Sequence, residues 1–261
     1  MNIFCSVVSH NNTKEIIEGL KPHLLTASNV NIVILDNIPD PRLHTYASSH
    51  TLSYLSNKET KGFGENHNQV FEFCLANLDM DISEDYFVVL NPDLECTPDA
   101  LKALIEGMTQ TDATIGAPNI FKDHALKVHE ESVRKFPYIW ELATSFMFKK
   151  NRTGIKRTTL RPCEVDWASG ACLAFKTDTF EALNGFDKRY FLYYEDVDIC
   201  WRARHLLGQT VYYFPEAKVI HPGKRKSHTL NSRHLWWHLK SAFRFSSVRL
   251  KTALFGSDSL R

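Results

Sequence analysis

Short apolar runs alternate with amphipathic stretches along the chain. The runs at residues 3–9, 31–35, 52–55 and 86–90 predict strands, and the apolar spacing over 13–25, 69–78 and 98–108 predicts helices. Further along, the pattern predicts a strand ending near residue 175, helices over 178–183 and from about 195, and a strand over 211–214. This alternation of strands and helices indicates an α/β fold with a largely parallel sheet.

Polar residues directly follow the predicted strands. His10 and Asn11 come after the first strand, Asp36 ends the second, and Asn91 and Asp93 follow the fourth. Ligands of open α/β sheets bind beyond the carboxyl ends of the strands, so we expect these residues to line one crevice.

No glycine-rich phosphate loop is present in the sequence. The P-loop pattern is missing, and Gly62 and Gly64 are followed by His67 where a dinucleotide fingerprint needs a third glycine. A diphosphate bound without such a loop needs another counter-charge, which a divalent cation on a strand-end carboxylate supplies. Asp93 is the candidate for that role.

Three carboxylates fall within four residues in the second half of the chain, at Glu195, Asp196 and Asp198. An apolar stripe continues after them, so a helix is expected to begin near Glu195, and its dipole favours ionised carboxylates in the first turn. Two interpretations stay open here: a general base, or an ordinary acidic first turn.

Charge is unevenly distributed over the 261 residues, although the net charge is only +1. Residues 222–251 contain eight Lys or Arg and no Asp or Glu, which leaves residues 1–221 at −7. Apolar residues recur at helical spacing over 232–250, so a basic amphipathic helix is predicted. It can lie in a membrane interface, or it can pack on the rest of the protein with a solvated basic face.

The overall composition, 43% hydrophobic and 23% charged, suits a single globular domain. The six cysteines form no C-x-x-C pair and are expected to be reduced packing residues. No apolar run approaches a membrane span and the start lacks signal-peptide features, so a cytosolic location is expected.

Short motifs follow one another along nearly the whole chain: Asp36-Asn37, Lys61-Gly62-Phe63-Gly64 with Asn66 and Asn68, Leu90-Asn91-Pro92-Asp93, Ser169-Gly170-Ala171, Gly185-Phe186-Asp187, Tyr193-Tyr194-Glu195-Asp196-Val197-Asp198 and Val219-Ile220-His221. In this order they resemble the inverting glycosyltransferases of family 2. Two further segments, residues 131–137 and 237–244, are similar to the rhamnosyltransferases of bacterial O-antigen assembly.

The resemblance implies the GT-A fold, an α/β domain with a mostly parallel central sheet flanked by helices. The catalytic domain would occupy residues 1–222, with a nucleotide-binding half over 1–118 and an acceptor half over 119–222. Residues 223–261 would form the basic C-terminal helical segment, which contacts the membrane surface.

The same resemblance implies roles for individual residues. Asp196 would be the catalytic base, and Glu195 would position the base or the acceptor. Mg²⁺ or Mn²⁺ would be bound by Asp93 and His221, with Asn91 standing where the family's Asp-x-Asp motif begins. The implied donor-binding residues are Ser9, Asn11, Asp36, Gly62, Asn66, Asn68, Asn91, Asp93, Gly170 and Ala171. Among them, Asp36 would accept a hydrogen bond from the pyrimidine N3. For Asn66 a helix N-cap role stays open.

The implied reaction transfers L-rhamnose from dTDP-L-rhamnose to a GlcNAc-diphospho-polyprenol, with inversion, in O-antigen or related surface polysaccharide synthesis. The enzyme would work as a peripheral protein on the cytoplasmic face of the inner membrane. A UDP-hexose donor is the alternative within the fold. A nucleic-acid-binding protein is the alternative of another class, because the basic segment could meet phosphates, although the acidic body would repel nucleic acid.

Overall fold

An eight-stranded sheet forms the centre of the computed structural model, which describes residues 1–137, 161–222 and 232–260. Its strands are β1 (Ile3–Ser9), β2 (Val30–Asp36), β3 (Ser53–Ser56), β4 (Tyr86–Leu90), β5 (Ile115–Phe121), β7 (Cys163–Val165), β9 (Cys172–Lys176) and β10 (Val211–Ile220). Strands β6 (Val133–Arg134) and β8 (Trp167–Ala168) form a separate antiparallel pair. The order in the large sheet is β3-β2-β1-β4-β9-β5-β10-β7.

The sheet is parallel apart from two strands. Strands β3, β2, β1 and β4 run parallel, as do β5 and β10, whereas β9 is antiparallel to both β4 and β5 and β7 is antiparallel to β10. Strand β9 belongs to the predicted acceptor half yet lies between β4 and β5, and β5 spans the predicted boundary at residues 118/119. The two halves therefore share one sheet.

Six α-helices flank the sheet in the described ranges: α1 (Pro41–Ser49), α2 (Phe63–Asn77), α3 (Pro98–Thr111), α4 (Thr177–Ala182), α5 (Glu195–Leu207) and α6 (Ser232–Phe255). The helix predicted over 13–25 is instead a π-helical segment, Glu15–Leu20, and a 3₁₀ turn, Pro22–Leu25. Between them Lys21 has a φ of 48°, because Pro22 supplies no N–H to continue the helix and disfavours helical geometry before it. The pattern also missed α1 and β5.

Apolar side chains pack on both faces of the sheet. Alternate residues of β1 point to opposite faces, so Cys5 and Val7 join a core with α1 and α3, while Phe4 and Val8 join a core with α2 and α5. Five of the six cysteines are buried, and Cys163 is half-buried, as expected for packing residues. None of the helices in the part of the chain that the structure describes is long and apolar enough to cross a membrane.

Candidate active site

Asp36 lies at the carboxyl end of β2, beside Ser9 at the end of β1. Its side chain is fully buried; Oδ2 accepts from the Asp40 N–H (2.8 Å) and the Tyr54 hydroxyl (3.1 Å). Burial raises the pKa of Asp36, and these hydrogen bonds oppose the rise. Oδ1 is buried and has no hydrogen-bond partner among the described residues. Buried acceptors are rarely left unpaired, so a donor such as an imide N–H would complete it.

A chain of neutral amides fixes the loop after β3. The Asn37 side chain accepts from the Lys61 N–H (2.9 Å) and donates to the Lys61 carbonyl (2.9 Å). Asn57 donates to both Asn37 Oδ1 (2.9 Å) and Asn66 Oδ1 (2.7 Å). Asn66, a predicted donor-binding residue, is buried and also donates to the Lys61 carbonyl (3.3 Å). Sequence reasoning missed Asn57, which no motif marks.

Gly62 and Asn68, both predicted donor-binding residues, connect α2 to the segment before α5. A Cβ on Gly62 would lie 2.8 Å from the Phe191 carbonyl, which already accepts from the N–H of Phe63 (3.0 Å). The Asn68 amide accepts from the Phe186 N–H (2.9 Å) and donates to its carbonyl (2.8 Å). The structure thus brings these two residues to the junction of the two halves.

The turn at Gly170 and Ala171 links the end of β4 to α5. The Asn91 N–H donates to the Ala171 carbonyl (2.8 Å), and the Gly170 N–H donates to Asp196 Oδ2 (3.1 Å). Asn11 is exposed, with a φ of 63°, a left-handed conformation that asparagine tolerates better than most residues.

His221, just after β10, lies between two carboxylates. Its Nε2 is 3.0 Å from Asp93 Oδ1, and its Nδ1 is 2.7 Å from Glu130 Oε2. Burial alone would lower the pKa of His221, but the bonds to Asp93 and Glu130 overcome this and raise the pKa to about 10. Glu130 was missed by sequence reasoning, because it belongs to no motif and approaches His221 only through the pairing of β5 with β10.

Asp93 and His221 supply the chemistry that a divalent cation needs, although no three His, Cys, Asp or Glu side chains in the described residues form a ready metal cluster. Asp93 Oδ1 and His221 Nε2, 3.0 Å apart, would bind a cation that takes its remaining ligands from a diphosphate and water. Such a cation would displace the Nε2 proton that His221 holds, with its raised pKa, in the metal-free protein. Glu130 would then hold the other ring nitrogen of His221, as carboxylates commonly do behind metal-binding histidines.

The three carboxylates at the start of α5 have different surroundings. Asp198 accepts from Arg202 Nε (2.7 Å), and Arg202 also donates to the Leu183 and Gly185 carbonyls, so this carboxylate holds a buried ion pair. Asp196 accepts from the N–H groups of Gly170 (3.1 Å) and Val197 (2.8 Å). The acidic-turn interpretation therefore describes Asp198, while Asp196 is bound by backbone N–H donors.

Burial raises the pKa of Asp196, and the N–H groups of Gly170 and Val197 and the charge of Arg134 oppose the rise. Burial, together with the charge of Asp196, raises the pKa of Glu195 to about 8, and Glu195 Oε2 has no hydrogen-bond partner among the described residues. Glu195 is consequently protonated at neutral pH, which keeps a second negative charge away from Asp196.

Two consecutive tyrosines before α5 have left-handed backbones, with a φ of 72° at Tyr193 and 70° at Tyr194. Such conformations cost about 1–3 kcal/mol each and persist only where the surroundings hold them. Helix α6 provides this support: His234 Nδ1 is 3.1 Å from the Tyr193 hydroxyl, and the Ser241 hydroxyl donates to the Leu192 carbonyl (3.0 Å). One face of α6 therefore packs on the catalytic domain.

The small β6–β8 sheet lies on the same side as Asp196. Arg134 stacks over the Trp167 ring (5.4 Å from Cζ to the centroid), and the Trp167 indole donates to the Lys135 carbonyl (3.0 Å). The charge of Arg134 lowers the pKa of Asp196, so this guanidinium stands near the carboxylate. It gives this side of the crevice a cation suited to an anionic acceptor.

The sequence profile of Glycosyl transferase family 2 matches residues 6–181, more than half of the chain. The chain belongs to glycosyl transferase family 2. The family assignment made from the motifs is therefore confirmed.

Curated relatives within this family include two rhamnosyltransferases. The chain is 30% identical to rhamnosyltransferase WbbL of Escherichia coli (strain K12) over 245 residues, 93% of this chain and 92% of that protein. It is 29% identical to N-acetylglucosaminyl-diphospho-decaprenol L-rhamnosyltransferase of Mycobacterium tuberculosis (strain CDC 1551 / Oshkosh) over 194 residues, 68% of this chain and 62% of that protein.

Two solved structures share the architecture of this chain at low sequence identity. Mannosyltransferase PcManGT from Pyrobaculum calidifontis in complex with GDP-Man and Mn²⁺ matches with a TM-score of 0.60 and 14% identity, over 95% of this chain and 64% of that chain. S. aureus TarS 1-349 in complex with UDP matches with a TM-score of 0.54 and 13% identity, over 82% of this chain and 60% of that chain. The predicted GT-A fold is confirmed, and the predicted roles of the site residues stay predictions.

Proposed function

We propose that this glycosyltransferase transfers L-rhamnose from dTDP-L-rhamnose to a GlcNAc-diphospho-polyprenol, with inversion, in O-antigen or related surface polysaccharide synthesis. The observation that carries the proposal is the likeness to two rhamnosyltransferases, one over 93% of the chain and one whose name states a GlcNAc-diphospho-lipid acceptor. The site geometry supports it, because the buried acceptor Asp36, the pair Asp93 and His221, and the half-buried carboxylate of Asp196 lie beyond the carboxyl ends of the strands.

The donor would bind along the ends of β1, β2 and β4. Asp36 Oδ1, the unpaired buried acceptor, would receive the N3–H of thymine, and the loop fixed by Asn37 and Asn57 would border the nucleotide. Asp93 and His221 would hold Mg²⁺ or Mn²⁺, and a bound cation neutralises charge that builds up on the departing diphosphate. Ser9 and Asn11 would border the base.

The transfer step uses Asp196 as general base. The carboxylate would take the proton of the acceptor hydroxyl while its oxygen bonds to the anomeric carbon and the bond to the nucleoside diphosphate breaks. Hydrogen bonds from the Gly170 and Val197 N–H groups orient this carboxylate. Protonated Glu195 leaves Asp196 as the charged member of the pair. A single displacement from a β-linked donor gives an α-linked product.

The acceptor carries a long lipid and a diphosphate. Arg134, close enough to lower the pKa of Asp196, would pair with this diphosphate. A lipid-linked acceptor requires the enzyme to work at a membrane surface, and we place it at the cytoplasmic face of the inner membrane, where nucleotide sugars are available.

A donor panel tests this proposal. Purified protein is incubated with a GlcNAc-diphospho-lipid analogue and, in turn, dTDP-L-rhamnose, UDP-glucose, UDP-galactose or UDP-GlcNAc, with Mg²⁺, Mn²⁺ or EDTA, and products are detected by mass spectrometry. We expect transfer only from dTDP-L-rhamnose, loss of transfer in EDTA, and an α-linkage by NMR. At 100 times its Kd the true donor should stabilise the fold by about 2.7 kcal/mol.

Each other outcome contradicts one part of the proposal. Transfer from a UDP-sugar would replace rhamnose by a hexose and leave the enzyme class intact. Full activity in EDTA would show that transfer does not require a divalent cation. Absence of transfer from every donor, with salt-dependent binding of DNA, would favour the nucleic-acid alternative.

A further inference from the structure

Helix α6 has two distinct faces. Its inner face contacts the catalytic domain through the His234 and Ser241 hydrogen bonds, the buried Phe245 ring 5.8 Å from Trp201, and a Trp201 indole bond to Thr252 (3.3 Å). These four residues of α6 are spaced by seven, four and seven positions and so line one side of the helix. The opposite side makes no such contacts with the described residues, and its side chains are exposed.

Large apolar side chains form a continuous stripe on this outer face. Five residues are between 49% and 77% exposed: Trp236, Leu239, Phe243, Leu250 and Leu254. Steps of three, four, seven and four residues keep them on one side of an α-helix, over a length of about 27 Å. Single exposed apolar residues are ordinary, but an aligned row of this length marks an interaction surface.

Basic side chains run beside the apolar stripe. Arg233, Lys240 and Lys251 are exposed, Lys240 Nζ lies 5.0 Å from the centre of the Trp236 ring, and residues 232–255 contain no Asp or Glu. A cavity of about 480 Å³ opens along this basic edge, lined by Lys240, Arg244 and Lys251 of α6 and, on the facing side, by Arg189 and the Asp198–Arg202 ion pair. The α6 side of this edge is therefore basic.

We propose that the outer face of α6 docks on an anionic lipid bilayer, with the apolar stripe among the acyl chains and the basic edge against headgroup phosphates. An apolar row flanked by basic residues is the arrangement that holds a helix in the plane of a membrane interface, where the basic side chains strengthen binding to anionic lipid. Charges of one sign on this edge favour an anionic surface over a second copy of this chain, which would place like charges together.

The inference deepens the proposed function, which requires a lipid-linked acceptor, and adds an orientation. The inner face of the same helix holds Tyr193 and the Leu192 carbonyl, next to the start of α5. A bilayer bound to the outer face is therefore separated from Tyr193 and Leu192 by the thickness of one helix, about 10 Å.

Vesicle sedimentation with the full chain tests the docking. We expect the protein to sediment with vesicles of phosphatidylcholine and phosphatidylglycerol, more weakly with phosphatidylcholine alone, and less at raised salt. Phe243→Ser combined with Leu254→Ser should weaken binding at least tenfold on both vesicles. Lys240→Gln combined with Lys251→Gln should weaken binding at least fivefold on the anionic vesicles only.

Matched controls are available on other exposed elements. Leu24→Ser removes an exposed leucine outside α6, and Lys14→Gln with Lys102→Gln removes two exposed charges from other helical segments. All three substitutions should leave vesicle binding unchanged. Circular dichroism and thermal unfolding check that each variant remains folded.

Three results would overturn the proposal: no sedimentation of the wild type with anionic vesicles, equal binding by the outer-face and control variants, or a solution dimer that Phe243→Ser dissociates without any vesicle binding. Transfer to a short-chain, water-soluble acceptor separates the two proposals. The outer-face variants should retain that transfer, so vesicle binding without any transfer would contradict the proposed function alone.

Discussion

The two sides of the crevice are built from different polar groups. On the nucleotide side, neutral amides of Asn37, Asn57 and Asn66 fix the loop after β3 through bonds of 2.7–2.9 Å. On the catalytic side, Glu195 and Asp196 begin α5 and follow two tyrosines with left-handed backbones. The nucleotide side is held in shape by hydrogen bonds between neutral groups, whereas the catalytic side contains ionisable carboxylates and a strained backbone.

Because of this difference, a change of pH or a substitution should affect the two sides in different ways. Amides do not titrate, so the hydrogen bonds of Asn37, Asn57 and Asn66 do not change with pH, and Asp36 is the carboxylate on this side whose pKa burial raises. The buried carboxylates have raised pKa values because burial penalises their charged forms. Substitutions on the catalytic side should therefore change rate and pH dependence, whereas those on the nucleotide side should change stability and donor affinity.

Removing the charge of the proposed base should have the largest effect. Asp196→Asn keeps the shape and one of the two backbone hydrogen bonds, because its amide nitrogen cannot accept from the second N–H, and it cannot take a proton. General-base catalysis contributes about 10²- to 10⁴-fold, so kcat should fall by that factor while the Kd for donor stays within a few-fold. Single-turnover transfer and donor titration measure the two quantities.

Asp178→Asn is the control for this substitution, since Asp178 is an exposed carboxylate in the first turn of α4. Its turnover should match the wild type. If Asp196→Asn also keeps turnover within a few-fold of the wild type, another residue is the base, and the contrast between the two sides loses its catalytic half.

Substitution of Glu130, the carboxylate bound to Nδ1 of His221, should have the next largest effect, which is on metal affinity. Glu130→Gln removes the charge that holds Nδ1 of His221 at 2.7 Å, and losing such an orienting carboxylate typically costs about 10- to 100-fold in metal affinity. Mn²⁺ affinity measured by electron paramagnetic resonance, with and without dTDP, reports this directly and does not depend on turnover.

Glu95→Gln is a closely matched control. Glu95 forms a carboxylate–histidine pair with His124 (2.9 Å) only two residues beyond Asp93, but on an exposed surface. Like Glu130→Gln, Glu95→Gln removes one carboxylate charge close to Asp93. It should leave the Mn²⁺ affinity within about twofold of the wild type, as expected for an exposed pair. An equal loss in both variants would mean that overall charge, not the orientation of His221, sets the affinity.

The sequence predicted the strands that end in the crevice, because β1, β2 and β4 are buried runs with a polar residue at or just past their ends. It also predicted the acidic start of α5. It did not predict that β9 enters the sheet antiparallel between β4 and β5, since a five-residue buried strand carries no mark of its partners or direction. Strand order depends on contacts between distant segments, which periodicity does not record.

The same limit applies to the site. Asp36, Asp93 and Asp196 were recognisable because they occur in short motifs next to predicted elements. Glu130 and Asn57 act through residues far away in sequence, His221 at 91 positions and Asn37 at 20, and isolated Glu or Asn residues in loops carry no local signal. The residues proposed to touch a ligand were thus easier to predict than those that hold them in place. Residues 223–231, the beginning of the predicted basic C-terminal segment, lie outside the described residues.

The amide network should respond through stability. Asn57→Asp keeps the size of the side chain but replaces its donor N–H groups by an acceptor that faces Asn37 Oδ1 and Asn66 Oδ1. A buried group left without its partner costs on the order of 1–2 kcal/mol, so the free energy of unfolding in urea should drop by that amount. Donor affinity should fall with it, because the loop that borders the nucleotide loosens.

Asn77→Asp is the control, since the Asn77 amide is exposed and donates only to the Phe73 carbonyl at the end of α2. It should change the free energy of unfolding by less than about 0.5 kcal/mol, as for most surface substitutions. Equal losses in the two variants would show that the network does not stabilise the loop beyond an ordinary surface amide.

The last prediction concerns how the stability contributed by the catalytic side depends on pH. The folded pKa of Glu195, about 8, lies above its ordinary value of 4.5, so the folded state binds the proton more tightly than the unfolded state. The free energy of unfolding should therefore be highest below pH 4.5, as far as this group is concerned, and fall as pH rises through 8. Glu195→Gln removes this loss and should gain stability over the wild type between pH 5 and pH 8, by about 1.4 kcal/mol for each pH unit over which folded Glu195 keeps its proton.

Urea unfolding at a series of pH values measures this gain, and the difference between the two curves isolates Glu195 from the neighbouring carboxylates. Glu181→Gln, at an exposed glutamate of α4, should give a curve parallel to the wild type. If Glu195→Gln is also parallel, Glu195 is ionised in the folded protein at neutral pH. Asp196 would then share its site with a second negative charge, and the catalytic side would need a cation such as Arg134 to keep both carboxylates ionised.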